Sequence, residues 1–329
     1  MEKKYGRFEI TEFGEPNVLN WIQQDQRDLE PNEILIRNEA ISVDFIDTML
    51  RGGKLPLSLP SGIGYAGVGI VENTGSLVQG IVKGDRVAYM YFVAGSYAQK
   101  CYVPFDRVYK LPDQSMSPVI AAGALFRGLT AWYLATELWD LKRGDVAVVH
   151  AAAGGVGLLL TQWLTHLGII VIGTIKERSK LEVLQRYGCP HPVVLTEQDL
   201  VSEVKDLTNG LGASIVYESI GAATFERSLE CVRRFGLIAS FGWPSGDPDI
   251  SFSKLRSAGS IFATRPTVTH YTAEAADFHR GATALFDMVG RGAIQVNTDH
   301  TYALTDAARA HEDISAGRTV GSLVLIAEQ

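Results

Sequence analysis

The stretch from Val146 to Gly157, with the sequence VAVVHAAAGGVG, constrains the fold of this chain more than any other. Mostly β-branched residues run into a turn of small residues, and residues 158–167 then repeat apolar side chains at helical spacing until Gly168. A strand, a tight turn and a helix in succession suit a dinucleotide pyrophosphate, because a helix N-terminus offers unpaired N–H groups and partial positive charge. The glycines of the turn would let the backbone approach the phosphates closely.

The glycine fingerprint is imperfect, because Ala152 stands where the first glycine of G-x-G-x-x-G is expected, so an ordinary small-residue turn is the alternative. The following residues favour the nucleotide interpretation. Residues 169–175, 213–218 and 236–242 are predicted to be strands, and Ser179 to Glu182 is predicted to be a capping box that opens a helix. Alternating strands and helices indicate a parallel sheet.

The length and composition indicate a globular protein of two domains, since 329 residues exceed a typical single core. Apolar residues make up 46%, no apolar run approaches a membrane span, and the start MEKKYGRFEITEFG lacks the apolar core of a secretory signal. Three cysteines far apart in the sequence, Cys101, Cys189 and Cys231, are expected to be buried or half-buried thiols in a reducing compartment, so we expect a cytoplasmic protein. The net charge of −7 argues against a nucleic-acid surface.

The pattern along the chain predicts a discontinuous first domain, residues 1–123 and 265–329, around a second domain, residues 124–264. Up to about residue 122 the chain has short strands with frequent turn signals, which is typical of an antiparallel barrel or sandwich. A short helix is expected at residues 44–50, before a loop rich in Gly and Pro. After residue 264 we expect helices near 273–289 and 306–316 and a closing strand at 320–326.

Local motifs over nearly the whole length identify a family. They are Phe45-Ile46-Asp47-Thr48, Leu59-Pro60-Ser61-Gly62, Gly84-Asp85-Arg86-Val87, Arg127-Gly128-Leu129-Thr130-Ala131, His150 to Gly157, Tyr217-Glu218-Ser219-Ile220-Gly221, Ser240-Phe241-Gly242, Thr264-Arg265-Pro266 and Arg309-Ala310-His311-Glu312. The chain resembles the zinc-independent, zeta-crystallin-like quinone oxidoreductases of the medium-chain dehydrogenase/reductase superfamily. The resemblance implies a GroES-like antiparallel β-barrel domain, a Rossmann domain with a doubly wound parallel sheet, and NADPH in the cleft between them.

The resemblance also implies the site residues. The cofactor residues are Phe45, Thr130, Gly154, Gly155, Val156, Gly157, Thr174, Lys176, Lys180, Ser219, Phe241, Gly242, Trp243, Thr264, Arg265 and Arg318. The candidates for the substrate pocket are Asp44, Tyr65, Tyr91 and Trp243, and no residue is assigned a catalytic role.

NADPH is expected over NADH, because basic residues rather than an acidic one follow the second strand of the nucleotide domain. Lys180 and Arg318 are the expected ligands of the extra phosphate, and Leu195 replaces the tyrosine that often completes this subsite. A solvated basic turn is the alternative.

The residues favour a mechanism without zinc. Gly64-Tyr65-Ala66 stands where zinc-dependent relatives have Gly-His-Glu, and a catalytic zinc needs three protein ligands. His150 is expected to pack under the phosphate turn rather than to bind a metal. An acceptor reduced without a Lewis acid must already be electrophilic, as quinones and activated enones are.

The departures from the family pattern lie at the predicted substrate pocket. Asp44 replaces an asparagine, Met49 replaces a tyrosine, a second tyrosine is missing near Lys54 and Leu55, and Tyr65-Ala66 replaces Thr-Glu. Asp44 either caps the helix that follows it or is buried, protonated and able to donate a hydrogen bond.

NADPH-dependent reduction of a quinone or an activated carbonyl is therefore the expected function. The alternatives are an alkenal or enoyl double-bond reductase and an NADPH-binding protein of low turnover with a crystallin-like or RNA-binding role. A homodimer is also expected, since residues 237–242 and 261–263 lie near a sheet edge that a second subunit could cover.

Overall fold

The computed structural model describes residues 4–327, and the chain divides into two compact units. The first unit comprises Met1–Leu129, Thr272–Arg291 and Val296–Gln329, and the second comprises Thr130–Tyr271 and Gly292–Gln295. The ends of the predicted first domain, residues 1–3 and 328–329, lie outside the described residues. The domain boundaries predicted near residues 123 and 264 stay a prediction.

The strands, in chain order, are β1 (Lys4–Glu9), β2 (Asn20–Asp25), β3 (Glu33–Val43), β4 (Ala66–Thr74), β5 (Arg86–Met90), β6 (Lys100–Pro104), β7 (Val108–Lys110), β8 (Val146–Val149), β9 (Ile170–Ile175), β10 (His191–Val194), β11 (Ala213–Glu218), β12 (Val232–Ser240), β13 (Phe262–Thr264), β14 (His300–Ala303) and β15 (Leu323–Ile326). The α-helices are α1 (Phe45–Arg51), α2 (Pro118–Thr136), α3 (Gly155–His166), α4 (Leu181–Arg186), α5 (Leu200–Leu207), α6 (Ala222–Cys231), α7 (Phe252–Ser257), α8 (Val268–Tyr271), α9 (Ala275–Gly290) and α10 (Ala307–Ser315).

The second unit is built on a six-stranded sheet in the order β10-β9-β8-β11-β12-β13. All of its strand pairs are parallel. In order of appearance along this unit, the strands follow the arrangement 3-2-1-4-5-6 that is typical of dinucleotide-binding sheets. Helix α3 packs against β8 and β9, and α6 packs against β11 and β12. Apolar side chains such as Val148, Ile172, Val216 and Phe225 form its core. The predicted doubly wound α/β fold is confirmed.

The first unit contains a seven-stranded sheet in which β14-β15-β3-β4-β5-β7 are neighbours and β6 also pairs with β3. Its pairs are antiparallel except for β14 and β15, which run parallel. The closing strand predicted at residues 320–326 is β15, and it pairs with β3 far earlier in the chain. This long-range pair explains why the chain returns to the first unit after completing the second.

Two details differ from the sequence analysis. The predicted capping box at residues 179–182 is wrong, because Arg178–Lys180 forms a 3₁₀ turn and Lys180, not Ser179, occupies the N-cap position of α4. Helix α2 is long and apolar enough to cross a membrane by length and composition, although no apolar run of that kind was expected from the sequence. However, 78% of its most apolar window is buried inside the protein, as in a core helix.

Candidate functional site

The turn between β8 and α3 has the geometry of a phosphate-binding loop. The Ala152 N–H donates to the Thr174 carbonyl at 2.9 Å, which ties the turn to β9. A Cβ atom on Gly157 would lie 2.4 Å from the Ala151 carbonyl oxygen and 2.7 Å from the Ala152 Cα. Glycine is therefore required for the helix to approach the turn this closely.

Helix α3 begins at Gly155, earlier than the predicted Leu158, with Gly154 at the N-cap position. The Leu158 N–H donates to the Gly154 carbonyl at 2.9 Å and so closes the first helical turn. The N–H groups of Gly155, Val156 and Gly157 come before this bond, at the positive end of the helix dipole. They are the natural donors to an anion at this turn.

The turn lies at the position where ligands bind in sheets of this type. β8 stands between β9 and β11, so the chain winds away from it in both directions, and ligands bind beyond the carboxyl ends of such neighbouring strands. The Ser219 hydroxyl, just after β11, donates to the His150 carbonyl at 3.0 Å. The Phe241 N–H, just after β12, donates to the Glu218 carbonyl at 2.9 Å. The structure thus brings Ser219 and Phe241 to the edge that carries the glycine turn.

A buried polar network supports this edge from below. Glu218 is fully buried, and its carboxylate accepts hydrogen bonds from the Ser228 hydroxyl at 2.7 Å and from the Ile220 N–H at 2.7 Å. His150 lies 3.6 Å from the Glu218 carboxylate and hydrogen-bonds to Ser228 and Thr174 at 3.1 and 3.0 Å. The expectation that His150 packs under the turn agrees with this arrangement.

Burial lowers the pKa of His150, although the Glu218 carboxylate opposes the shift. The neutral imidazole therefore joins a network in which the Glu218 carboxylate accepts bonds from Thr224, Ser228 and two backbone N–H groups. Glu218 belongs to the motif Tyr217 to Gly221, but no role was predicted for it from the sequence. Its position at the end of a mostly apolar strand was the signal that could have predicted a buried, hydrogen-bonded carboxylate.

Basic residues follow β9, as predicted, but they are not equivalent. The Arg178 guanidinium is paired with the Glu197 carboxylate, which leaves less of its charge for a ligand. Lys176 is exposed and Lys180 is half-buried, and both belong to the second unit. Arg318 belongs to the first unit, where its guanidinium pairs with Asp313 at 2.6 Å. Leu195 lines a cavity of about 250 Å³ with the four residues that follow it and Arg227.

The other predicted cofactor residues vary in exposure. Phe45 is 39% exposed on the first turn of α1, Thr264 and Arg265 are exposed, and Thr130 is buried. The Arg265 guanidinium lies 4.4 Å from the centre of the Trp243 ring and so covers part of its face. The Thr174 hydroxyl is engaged by His150. Direct contacts of these side chains with a cofactor stay predictions.

Asp44 begins helix α1, and both interpretations of this residue describe part of the structure. It occupies the N-cap position, and its backbone N–H donates to the Asp47 carboxylate at 2.8 Å, as in a capping box. Its own side chain is buried, 3.3 Å from the Arg127 guanidinium. Burial raises the pKa of Asp44, while Arg127 and a hydrogen bond from Ser42 oppose the rise.

A second buried carboxyl, Asp47, leaves this cluster with one acidic group more than it has cations. Its Oδ2 accepts from the Asp44 N–H and from the Tyr97 hydroxyl at 3.0 Å, whereas Oδ1 has no partner among the described residues. Burial and the neighbouring Asp44 charge raise the pKa of Asp47 to about 8. Asp47 is therefore largely protonated at neutral pH.

The Tyr97 hydroxyl continues this network to His311. It lies 3.0 Å from the His311 Nε2, and burial lowers the pKa of His311 to about 3. A neutral imidazole protonated on Nε2 donates to the tyrosine oxygen, and the tyrosine proton then points to Asp47. The start of α1 and helix α10 are joined through this chain of hydrogen bonds.

The structure brings two substrate-pocket candidates together in one cavity of the first unit. Tyr65 and Tyr91 line a cavity of about 250 Å³ between the β1–β2 hairpin and the β5 and β6 region. Asp44 and Trp243 do not line it. Tyr65 also packs edge to face on Phe92, with ring centres 5.3 Å apart.

The part of the chain from residue 4 to residue 327 contains no group of three or more His, Cys, Asp or Glu side chains that could hold a metal ion. The three cysteines are all buried, as expected. Burial raises the pKa of each thiol, which keeps them protonated.

Comparisons with known proteins match two segments of the chain and the chain as a whole. Residues 30–113 match the family model described as alcohol dehydrogenase GroES-like domain, and residues 155–287 match the one described as zinc-binding dehydrogenase. A quinone oxidoreductase of Pseudomonas aeruginosa is 36% identical over 97% of this chain and 99% of its own length. A 2-haloacrylate reductase of a Burkholderia species is 35% identical over 96% of this chain and 97% of its own. The structure of Escherichia coli quinone oxidoreductase with NADPH matches with a TM-score of 0.94 and 37% identity, covering 98% of this chain and 100% of that one.

Proposed function

Because the chain belongs to the quinone oxidoreductase family of the medium-chain dehydrogenase/reductases, we propose that it is an NADPH-dependent reductase of quinones. The observation that carries the proposal is the glycine turn at the switch point of the parallel sheet. Gly157 leaves space that a Cβ atom would fill, and the first N–H groups of α3 face the carboxyl edge of β8 and β11. A dinucleotide pyrophosphate fits this donor set.

The cofactor is NADPH, which is bound in the related Escherichia coli enzyme. In this chain Gly155, Val156 and Gly157 would hold the pyrophosphate through their N–H groups. Lys176 and Lys180 follow β9, where dinucleotide-binding proteins recognise the adenosine ribose, and their positive charge suits a 2′-phosphate. Arg178 contributes less, since Glu197 already neutralises it.

When bound, NADPH supplies the hydride that converts a quinone into a hydroquinone, and the reaction takes up one further proton. The residues of this chain bind and orient the reactants. The hydrogen bonds among Glu218, His150 and Ser228 fix the loops after β8 and β11. Because burial lowers the pKa of His150, its imidazole stays neutral beneath the bound anion. Asp47, at the start of α1, is a buried carboxyl whose raised pKa keeps it protonated.

We also propose that the reaction needs no zinc. This rests on the sequence Gly64-Tyr65-Ala66, which lacks the histidine and carboxylate of the zinc-dependent pattern. A quinone becomes aromatic when it accepts a hydride. Positioning the quinone next to the hydride donor can therefore supply much of the rate enhancement without a Lewis acid.

The test is an assay of NADPH oxidation with benzoquinones, naphthoquinones and short enones, each with and without a metal chelator. We expect turnover with quinones that the chelator does not change. Oxidation of NADPH by none of these acceptors would refute the proposed function, and loss of activity on chelation with recovery on added zinc would refute the mechanism without metal.

Reduction of an activated carbon–carbon double bond is the second candidate. A 2-haloacrylate reductase is nearly as similar to this chain as the quinone oxidoreductase is, at 35% against 36% identity. The same assay separates the two, because a double-bond reductase would have a higher kcat/KM for 2-chloroacrylate and for short enones than for any quinone.

We propose a cytoplasmic homodimer. β13 lies at the edge of the six-stranded sheet, its three residues are exposed, and Phe262 is 54% exposed. Pairing of two β13 edges across a two-fold axis would satisfy their backbone groups and cover the phenylalanine. Light scattering should give twice the chain mass of 35.8 kDa, and Phe262→Glu should give the monomer. A monomeric wild-type protein at micromolar concentration would refute the dimer.

A further inference from the structure

The cavity in the first unit has the features of a ligand site. It is lined by side chains of the β1–β2 hairpin and of residues 65–103, and it includes five tyrosines: Tyr5, Tyr65, Tyr89, Tyr91 and Tyr102. Aromatic rings offer flat apolar surface with a polar atom at one end. A cavity of about 150 Å³ can hold a benzene ring, so the 250 Å³ here accommodates one substituted ring or a small bicyclic molecule.

Two buried donors that line this cavity lack a partner. Ser96 is 3% exposed, and its hydroxyl makes no hydrogen bond within residues 4–327. The Nε–H of Arg7 is likewise unpartnered, although its Nη2 binds Glu9 at 2.5 Å. A buried donor without an acceptor is unfavourable by about 1–3 kcal/mol. The Arg7 Nε–H can only donate, and the Ser96 hydroxyl can donate as well as accept, so an acceptor oxygen is the ligand atom that could satisfy both groups.

The tyrosine hydroxyls extend this set of donors. No described residue forms a hydrogen bond with the hydroxyl of Tyr5 or Tyr65. Burial raises the pKa of both phenols to about 12, so each keeps its proton. The Tyr89 hydroxyl, by contrast, donates to the Asn38 side-chain Oδ1 at 3.0 Å. The hydroxyls of Tyr5 and Tyr65 are therefore available as further donors beside the aromatic rings of the cavity.

The charges around the cavity favour a neutral ligand. Arg7 pairs with Glu9, Arg27 pairs with Glu33 at 2.6 Å, and Lys100 pairs with Glu72 at 2.6 Å. The lining carboxylate, Asp25, lies 3.5 Å from Lys4. With every lining cation already neutralised, an anion gains little over a neutral molecule of the same shape.

We infer that this cavity binds a neutral planar aromatic carbonyl compound, of the quinone class if the proposed function holds. Its rings pack against the tyrosines, and its carbonyl oxygen accepts from Ser96 and Arg7. The Cys101 thiol also lines the cavity, where it donates to the Gly95 carbonyl at 3.4 Å. A protonated thiol is a poor nucleophile, so the Cys101 thiol does not add to a bound quinone.

The test measures binding separately from catalysis. Acetophenone, a redox-inactive neutral aromatic ketone, and benzoate, an anion of similar shape, are titrated into the complete protein by ligand-observed NMR. We expect acetophenone to bind more tightly than benzoate. Ser96→Ala and Tyr5→Phe should each weaken acetophenone binding about three- to tenfold, which corresponds to the loss of one hydrogen bond.

Val93→Trp provides a variant that does not disturb the core. Val93 lines the cavity but is 62% exposed, so a larger side chain there would obstruct the opening without unfolding the protein. This variant should abolish acetophenone binding and raise the KM for quinone at unchanged kcat. Tyr109→Phe is the matched control, because Tyr109 lies outside the lining residues and binds Thr283.

Equal affinities in the wild type, the cavity variants and the control, or tighter binding of benzoate, would overturn the inference, as would an unchanged KM in Val93→Trp. If acetophenone binding depends on Ser96 but no quinone oxidises NADPH, the proposed function fails and the site stands. If quinones are reduced but acetophenone binding is the same in the wild type and in the cavity variants, the proposed function stands and the cavity site fails.

Discussion

Replacing Asp47 with asparagine should remove a pH-dependent part of the stability of this protein. The folded chain raises the pKa of Asp47 to about 8, whereas an aspartate in an unfolded chain has a pKa of about 3.9. Between these values the folded state binds a proton that the unfolded state releases. The contribution of Asp47 is therefore complete below about pH 4 and is lost as the pH rises towards 8.

The magnitude follows from proton linkage. One proton held in the folded state alone lowers the free energy of unfolding by about 1.4 kcal/mol for each unit of rising pH. From pH 5 to pH 7 the wild type should lose about 3 kcal/mol of unfolding free energy relative to Asp47→Asn. The amide keeps an oxygen that can accept from the Asp44 N–H and the Tyr97 hydroxyl, so the local hydrogen bonds survive. The titrations of His150 and His311 cancel in the difference, since both proteins contain them.

The assay is urea unfolding of the wild type and of Asp47→Asn at pH 5, 6 and 7. Asp140→Asn is the matched control, because the Asp140 side chain is 82% exposed and should show no such slope. The variant should gain stability over the wild type steadily as the pH rises. A difference between the two proteins that stays constant from pH 5 to pH 7 would show that Asp47 is ionised throughout, and the assignment of the buried proton would be wrong.

Three further variants test the nucleotide-binding unit. Gly157→Ala should weaken NADPH binding at least tenfold in a fluorescence titration, because the new Cβ meets the Ala151 carbonyl, while Gly290→Ala, with nothing within 4 Å, should bind normally. Glu218→Gln should lower the free energy of unfolding by about 2–4 kcal/mol in urea, because the amide cannot accept on both ends; an unchanged stability would contradict the network. Lys180→Ala should raise the KM for NADPH about tenfold and leave that for NADH unchanged, and equal effects on both would exclude a role in phosphate recognition.

The element pattern could be predicted from the sequence because it depends on neighbouring residues. The apolar run before the glycines predicted β8, and the spacing after them predicted α3. The capping box at Ser179 failed because the chain forms a 3₁₀ turn there, where Arg178 is paired with Glu197 beyond the next strand. A pattern of four residues contains no information about such a distant partner.

The candidate site was predictable where backbone conformation decides it and unpredictable where side chains meet across the fold. In a turn of this shape, glycine at position 157 is needed for the close approach of the helix to the turn, and this requirement follows from local backbone geometry. Glu218 acquires its role from His150 and Ser228, which come from other elements of the sheet unit. The pairing of the buried Asp44 side chain with Arg127 likewise joins residues far apart in the chain, and neither interpretation of Asp44 from the sequence included it.

Hydrophobic periodicity and glycine geometry act over a few residues, so the two architectures, the glycine turn and the family could be derived from the amino-acid sequence. Which carboxyls are buried together, which arginine is neutralised and which tyrosines share a cavity follow only from the folded chain. These properties depend on distances of a few ångströms between residues far apart in the chain, such as Tyr5 and Ser96 or Asp47 and His311. Strand order and register set those distances, and burial then sets the energy of each charge and donor.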